Sequence, residues 1–447
     1  MKRWTGTEVG RDIRYGAAAF ALGMPTIPLL IHLPPVYAED LGLGLTATGA
    51  ALFTARLLDV ITDPIIGAVS DRLKSPFGRR KPLIALGAIV GAAGVLLLLN
   101  PSENPGALYL AAWASVLYLG WTLINIPYLA WGADLHTAYD KRARLTGVRE
   151  SFMLAGILFA GVIPAATVAT GADGMSALSI TGWGIVMAGA VVFSLLLLTV
   201  AEPAPRPLQV GDPLLPSIRD LASNGPFNRL LFGWFINSLA NGIPAVLFIL
   251  FMKHVIGANE ITQGLFTLLY FLAGIVGMPL WIWLSRRHSK HRIWCVAMVV
   301  ASVTFAAAPA LEAGDILLFG IIVLLTGLCL GAELALPPAM QADVAEYEYF
   351  RKGRDRTGIM FAAWSMSTKL ALAASVGIAF PMLDWLGTPE QGSTEKYDSM
   401  TLALIYAGLP VVLKTSVILL MWDYPLNQSK LAIIQRRLST TVKNSSD

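Results

Sequence analysis

The sequence predicts an all-α integral membrane protein: twelve transmembrane helices in two six-helix pseudo-repeat bundles, with both termini cytoplasmic. Three observations carry that expectation. Apolar runs of about 20 residues, long enough for a helix to cross a hydrocarbon core, recur along all 447 residues. Charged residues make up only 14% of the chain and hydrophobic residues 55%, where a soluble domain carries roughly 25% charged residues. Too few charges remain to coat the soluble domains that the length alone suggests. Lys and Arg, finally, are segregated by loop.

The runs fall at 15–37, 46–70, 82–100, 106–133, 147–170, 180–200, 227–253, 262–285, 293–311, 315–341, 357–384 and 399–423. Several contain Gly or Pro, as at Gly23-Met24-Pro25 and Leu336-Pro337-Pro338. Membrane helices tolerate these because neighbours and water re-satisfy the freed backbone groups. The start is not read as a signal peptide, although Lys2, Arg3, Arg11 and Arg14 precede an apolar run ending at Ala38. That run exceeds a signal core of about 7–15 residues, and further spans follow it.

Basic residues in short loops mark the cytoplasmic side. Of the 33 Lys and Arg residues, 26 lie in the N-terminal tail, the even-numbered loops and the C-terminal tail, and two, Lys253 and Lys396, lie in the odd-numbered loops. The other five, Arg56, Arg149, Arg229, Lys369 and Lys414, lie within spans or at their ends. The net charge of +4 therefore reflects orientation, and nucleic acid is not an expected partner. Cys295 and Cys329 sit in apolar runs, which excludes a disulfide framework and a thiolate zinc cluster.

Residues 201–226, rich in Pro (Pro203, Pro205, Pro207, Pro213, Pro216, Pro226), form the longest polar interruption. The domain reading is an N-terminal bundle at 1–200, a cytoplasmic linker at 201–226, a C-terminal bundle at 227–423 and a tail at 424–447. Weak echoes relate the halves: Ala133-Asp134 and Ala342-Asp343, then Arg144-Leu-Thr-Gly147 and Asp355-Arg-Thr-Gly358. Parallel six-span repeats build one large transporter class, with the substrate near mid-membrane at the repeat interface.

The second span reads Arg56-Leu-Leu-Asp59-Val-Ile-Thr62-Asp63-Pro64-Ile-Ile-Gly67. At 100° per residue Arg56, Asp59 and Asp63 share one helix face, with Thr62 beside them. A charge near the bilayer centre costs about 2.5–3.5 kcal/mol even on the lenient insertion scale, so this stripe must face a polar interior. Two carboxylates about 6 Å apart repel by roughly 3 kcal/mol at an effective dielectric near 20. The pair calls for a proton or a cation between its members; alternatively Arg56 neutralises it and the cluster merely joins helices.

Other ionisable residues in spans are Arg149-Glu150 in the fifth, Glu333 in the tenth, Lys369 in the eleventh and Lys414 in the twelfth; the fourth carries Trp121, Thr122 and Asn125. Lys369 lies too deep to snorkel easily, so it pairs with a carboxylate or meets an anionic substrate. Arg149, near a span end, suits an interfacial or structural role almost as well as substrate contact. Glu333 could equally pair with an internal lysine, and Lys414 reads as structural. The loop from Asp71 through Arg79, Arg80 and Lys81 either enforces orientation or clasps neighbouring cytoplasmic helix ends and stabilises one state of a transport cycle.

With these residues in hand, the chain resembles the major facilitator superfamily and, within it, the melibiose permease-like glycoside–pentoside–hexuronide:cation symporters. The resemblance rests on Ala55 to Gly67, on the Gly78-Arg-Arg-Lys-Pro82 loop, on Asn125-Ile-Pro127, and on Ala342-Asp343-Val-Ala-Glu346-Tyr347. It implies that Asp59 and Asp63 are the two cation-binding carboxylates, with Thr62 and Thr122 as oxygen ligands. The family often has Asn where this chain has Thr62, a shorter reach that favours a proton over sodium. The implied substrate positions are Arg149, Lys369, Asn125, Gly23, Trp121, Leu129, Glu333 and Ser365. Arg56, Asp71, Arg79, Arg80, Lys81, Asp134 and Asp343 are implied to be structural or gating.

Gly23 and Asn125 stand where the family carries its two acidic sugar-gripping groups, and Leu129 stands at its stacking aromatic. A neutral galactoside therefore fits poorly, and an anionic sugar or an amphipathic lipid-like solute fits better.

The expected function is secondary active, cation-coupled symport of a small organic solute by alternating access, in the plasma (bacterial inner) membrane. A functional monomer is expected, with H+ or Na+ as coupling ion, no other cofactor, and no metal beyond a sodium site. An enzyme is not expected, because the five histidines show no metal-ligand spacing. Primary pumping lacks its P-loop. An uncoupled carrier, lipid flippase or regulator on the same fold is the alternative.

Overall fold

The computed structural model describes residues 6–101, 105–169, 174–203, 222–386 and 398–444. Lys2, Arg3, Lys396 and most of the expected linker lie outside them. The described elements are helical. The long ones are α1 (Gly6–Gly23), α2 (Leu45–Arg72), α3 (Lys81–Leu99), α4 (Ala107–Leu135), α5 (Tyr139–Ala169), α6 (Gly174–Thr199) and α7 (Gly225–Phe251). After these come α8 (Glu260–Arg287), α9 (Lys290–Phe305), α10 (Ile316–Lys352), α11 (Thr357–Leu386), α12 (Leu409–Met421) and α13 (Gln428–Asn444).

Ten helices among the described residues are long and apolar enough to cross a membrane. The first two expected spans are not among them, for separate reasons. The first is broken after Gly23 into short turns, with π-helical stretches at Pro28–His32 and Val36–Asp40. The second is the 28-residue α2, diluted by Arg56, Asp59 and Asp63. Large apolar side chains such as Ile89, Leu198, Val276 and Trp385 remain exposed, as lipid-facing surface does.

Two units divide the chain: 1–211 with 351–363, and 212–350 with 364–447. In the first unit, glycines let helix backbones meet, the usual device where lipid supplies no hydrophobic drive to association. A Cβ on Gly94 of α3 would lie 2.7 Å from the Leu117 backbone of α4, and one on Gly87 would lie 2.8 Å from the Gly120 carbonyl oxygen. Gly23 and Gly156 serve the α1–α5 contact in the same way, facing the Met153 and Phe20 backbones. In the second unit the core is ring-rich: Phe251 stacks on Tyr406 at 4.1 Å and meets Phe319 at 5.4 Å.

Several edges differ from expectation because polar contacts extend helices past their apolar runs. α5 begins at Tyr139, where Arg142 Nε donates to the His136 carbonyl at 2.8 Å and Arg144 grips Asp12. α10 runs on to Lys352, its polar end held by Lys290 to Asp343 at 2.6 Å and Asn224 to Glu348 at 2.8 Å. Most of the expected C-terminal tail is helix α13, which buries Leu431 and Ile434 and donates from Gln435 to Glu346 at 3.1 Å.

Candidate functional site

In the first unit α2 carries Asp59 and Asp63 one turn apart, and both are buried, at 3% and 0% exposure. α4 brings Thr122 against them: its Oγ1 lies 2.8 Å from Asp59 Oδ1 and 2.9 Å from Asp63 Oδ1. A threonine hydroxyl has one hydrogen to donate. Two carboxyl oxygens thus lie at hydrogen-bond length from a hydroxyl that has a single hydrogen to share between them.

Arg56 does not neutralise this pair tightly. Its side chain is 45% exposed, its Nη1 stands 4.0 Å from Asp59 Oδ2, and its guanidinium lies over the Tyr118 ring at 4.3 Å. Such a half-exposed ion pair is worth at most about 1 kcal/mol. Thr62 uses its hydrogen on its own helix, donating to the Asp59 carbonyl at 3.0 Å, so that this hydroxyl is not a donor to the carboxylate pair.

Arg149 is buried on α5, and its Nε donates to Glu150 Oε1 at 3.0 Å. In the same unit Tyr15 and Tyr128 stack at 4.4 Å, each hydroxyl donating to the other's carbonyl at 2.7 Å. Asn125 and Leu129 fall on the same stripe of α4 as Trp121, four and eight residues on. Trp121 helps line an apolar cavity of about 390 Å³ with Leu22, Ala88, Ile124 and Phe193. Gly23, expected at a substrate-gripping position, is instead turned onto α5, where a Cβ would strike the Met153 carbonyl; its place in the fold is helix packing.

The basic loop before α3 is ordered by acids of the same unit. Arg79 Nη2 lies 2.9 Å from Asp355 and 3.4 Å from Asp134, and Arg80 Nη2 lies 2.8 Å from Asp134. The Arg79 and Arg80 backbone amides both donate to Glu202, and Lys81 Nζ donates to the Leu197 carbonyl at 2.8 Å. Asp71 accepts from the backbone amides of Gly358 at 2.7 Å and Ile359 at 3.0 Å, two of the donors a helix N-terminus leaves unsatisfied. Gly67 and Gly358 make this approach fit, since a Cβ on Gly358 would lie 2.6 Å from the Gly67 carbonyl oxygen. Burial, with the Asp355 charge adding to it, pushes the Asp71 carboxyl up to about 7.

In the second unit Glu333 of α10 pairs with Lys414 of α12 and accepts from Asn237 and Asn241 of α7, while Lys414 also donates to Asn237 Oδ1 at 3.1 Å. Asp343, in the polar part of α10, pairs with Lys290 at the start of α9, as Asp134 at the end of α4 pairs with Arg80 before α3. The echoed aspartates thus do the same local task in both units. Lys369 is partly buried on α11, one turn beyond buried Ser365. The sequence reading missed an aromatic pair beside them on the chain: Trp234 stacks on Trp364 at 4.5 Å and donates from Nε1 to Thr368 at 2.7 Å. Its signal is Trp364 one residue before Ser365; its partner on α7 had none.

Long apolar helices with ionisable side chains buried among them are the build of a membrane protein with an internal polar site. The chain belongs to the family described as MFS/sugar transport protein, whose profile matches residues 14–428. It is 24% identical to the putative glycoside/cation symporter YagG of Escherichia coli over 95% of this chain and 94% of that protein. It is likewise 24% identical to the human sodium-dependent lysophosphatidylcholine symporter 1 over 85% of this chain and 76% of that protein. The fold is shared with the fucose:proton symporter FucP of Escherichia coli, TM-score 0.68 at 13% identity, covering 94% of this chain and 99% of that one.

Proposed function

We propose that this chain is a cation-coupled secondary active symporter of the plasma membrane, inserted by twelve spans with both termini cytoplasmic. The observation that carries the reading is the Asp59–Thr122–Asp63 cluster, which has one hydroxyl hydrogen for two short contacts. The coupling ion supplies the missing positive charge; a proton is favoured, because Thr62 reaches less far than the Asn that the resembled family often has there, and sodium is the alternative. Filling the site relieves repulsion between the carboxylates and thereby changes the free energy of the helix arrangement that accepts solute. By linkage, solute then strengthens ion binding by the same factor.

The solute is proposed to be a small sugar or sugar acid, with Arg149, Lys369, Asn125 and Ser365 as contacts. A relative named as a putative glycoside/cation symporter supports this. The second reading, an amphipathic lipid-like solute, is favoured by relatives named as lysophosphatidylcholine symporters, and by Asn125 and Leu129 lacking an acid and a ring. The domain reading is kept with it: six-span bundles at 1–200 and 227–423, joined by a linker at 201–226. Uptake into proteoliposomes of a uronide, a neutral glycoside and a lysolipid, with and without sodium and across pH, tests solute and ion together. Ion-dependent accumulation of one solute is expected; entry of all three down their gradients, blind to both ions, contradicts the proposal.

A further inference from the structure

The second unit carries a half-open cavity of about 250 Å³ that the coupling scheme leaves unused. Rings form much of its wall, among them Phe266, Phe305, Phe319 and Tyr406. They brace one another: Phe266 meets Phe319 edge-on at 5.4 Å, and Phe305 lies against Tyr406 at 5.1 Å. A dry cavity of about 150 Å³ takes benzene, so this one has room for one or two rings.

Its polar lining is small and specific. Lys414 and Glu333 both reach it. An ammonium has three hydrogens; Lys414 directs two, to Glu333 Oε1 and Asn237 Oδ1. Ser302, only 7% exposed, lines the same cavity, and its Oγ has no hydrogen-bond partner among the described residues. A buried hydroxyl without a partner is costly, and a turn about its χ1 would bring this one to a ligand oxygen that recovers the cost. The Glu333–Lys414 pair is neutral as a whole, so a ligand of net charge would enter a poorly solvating site uncompensated.

We propose that this cavity binds an uncharged one- or two-ring molecule bearing a hydroxyl or carbonyl, its rings among Phe305, Phe319 and Tyr406 and its oxygen toward Lys414 and Ser302. The site lies within one unit, so the proposal stands apart from the coupling reading. Naphthol, naphthoate and naphthylmethylammonium are matched probes, tested on the full-length protein in nanodiscs by equilibrium binding and by thermal shift. Saturable 1:1 binding of naphthol is expected, with each charged isostere at least about tenfold weaker. Ser302→Ala is expected to weaken naphthol by roughly fivefold. Val323→Phe and Ser302→Leu, which fill the cavity, should abolish it; two fillings are used so that one failing to fold leaves the other. Equal naphthol binding in a folded filled variant, or tighter binding of a charged isostere, overturns the proposal. So does a phospholipid that native mass spectra find held 1:1 and not displaced by naphthol, which would give the cavity to an acyl chain.

Discussion

Asp59 and Asp63, one turn apart on α2, meet at a single threonine hydroxyl, with Thr122 Oγ1 at 2.8 Å from one and 2.9 Å from the other. Removing either charge leaves a pair that no longer needs a cation. Asp59→Asn and Asp63→Asn are each expected to abolish ion-driven accumulation while membrane insertion is unchanged, measured as uptake against surface-exposed protein. Undiminished accumulation in both variants sinks the coupling assignment.

Thr122 supplies the oxygen that joins the two carboxylates. Hydrogen bonds to charged groups are worth about 1.5–3 kcal/mol, so Thr122→Val should raise the ion concentration for half-maximal uptake by roughly ten- to a hundredfold. Thr122→Ser keeps the hydroxyl and should stay within a few-fold of wild type. An equal effect of both variants would assign Thr122 to packing.

Glu333 and Lys414 form a buried pair in the second unit, bracketed by Asn237 and Asn241. Removing one partner from such a pair costs about 3–5 kcal/mol, whereas replacing both with apolar groups is often close to neutral. Thermal unfolding should therefore show large losses in Glu333→Leu and in Lys414→Met, and recovery of most of the loss in the double variant. Additive losses would contradict the pairing.

Asp71 closes onto the first amides of α11 from the end of α2. Its carboxyl sits at about 7 against an ordinary 3.8, raised first by burial and then by Asp355. The folded state thus binds this proton more tightly than the unfolded chain. The stability this group contributes is complete below its unfolded value and is lost as pH rises toward 7. The thermal midpoint of wild type should fall across that window more steeply than that of Asp71→Asn. Parallel curves would remove Asp71 from the pH dependence.

The membrane class, the helical runs and the acidic stripe were legible in the sequence because burial in lipid writes itself as composition. Asp59 and Asp63 are visible as a pair because helical periodicity alone puts them on one face. The Thr122 contact rested on the family resemblance, since it joins two helices that no periodicity relates. What stayed hidden depends on contacts far apart in the chain. Arg56 reads as a neutralising partner at helical spacing, yet its guanidinium lies over Tyr118 of α4. Gly23 reads as a vacated substrate position, yet the α5 backbone fills the space beside it. Helix ends shifted wherever a polar side chain reached a distant acid or carbonyl, as Arg144 does with Asp12.

The most direct test of the central claim is a count of hydrogens at the carboxylate pair by infrared difference spectroscopy on the purified protein. Asp71→Asn, which removes the carboxyl that sits at about 7, serves as the background; in sodium-free buffer at neutral pH a protonated-carboxyl C=O band is predicted to persist in it. Asp59→Asn and Asp63→Asn should each remove it, because a lone carboxylate no longer needs the proton. An Asp71→Asn spectrum without such a band, or a band untouched when either further substitution is added, would contradict a proton shared through Thr122.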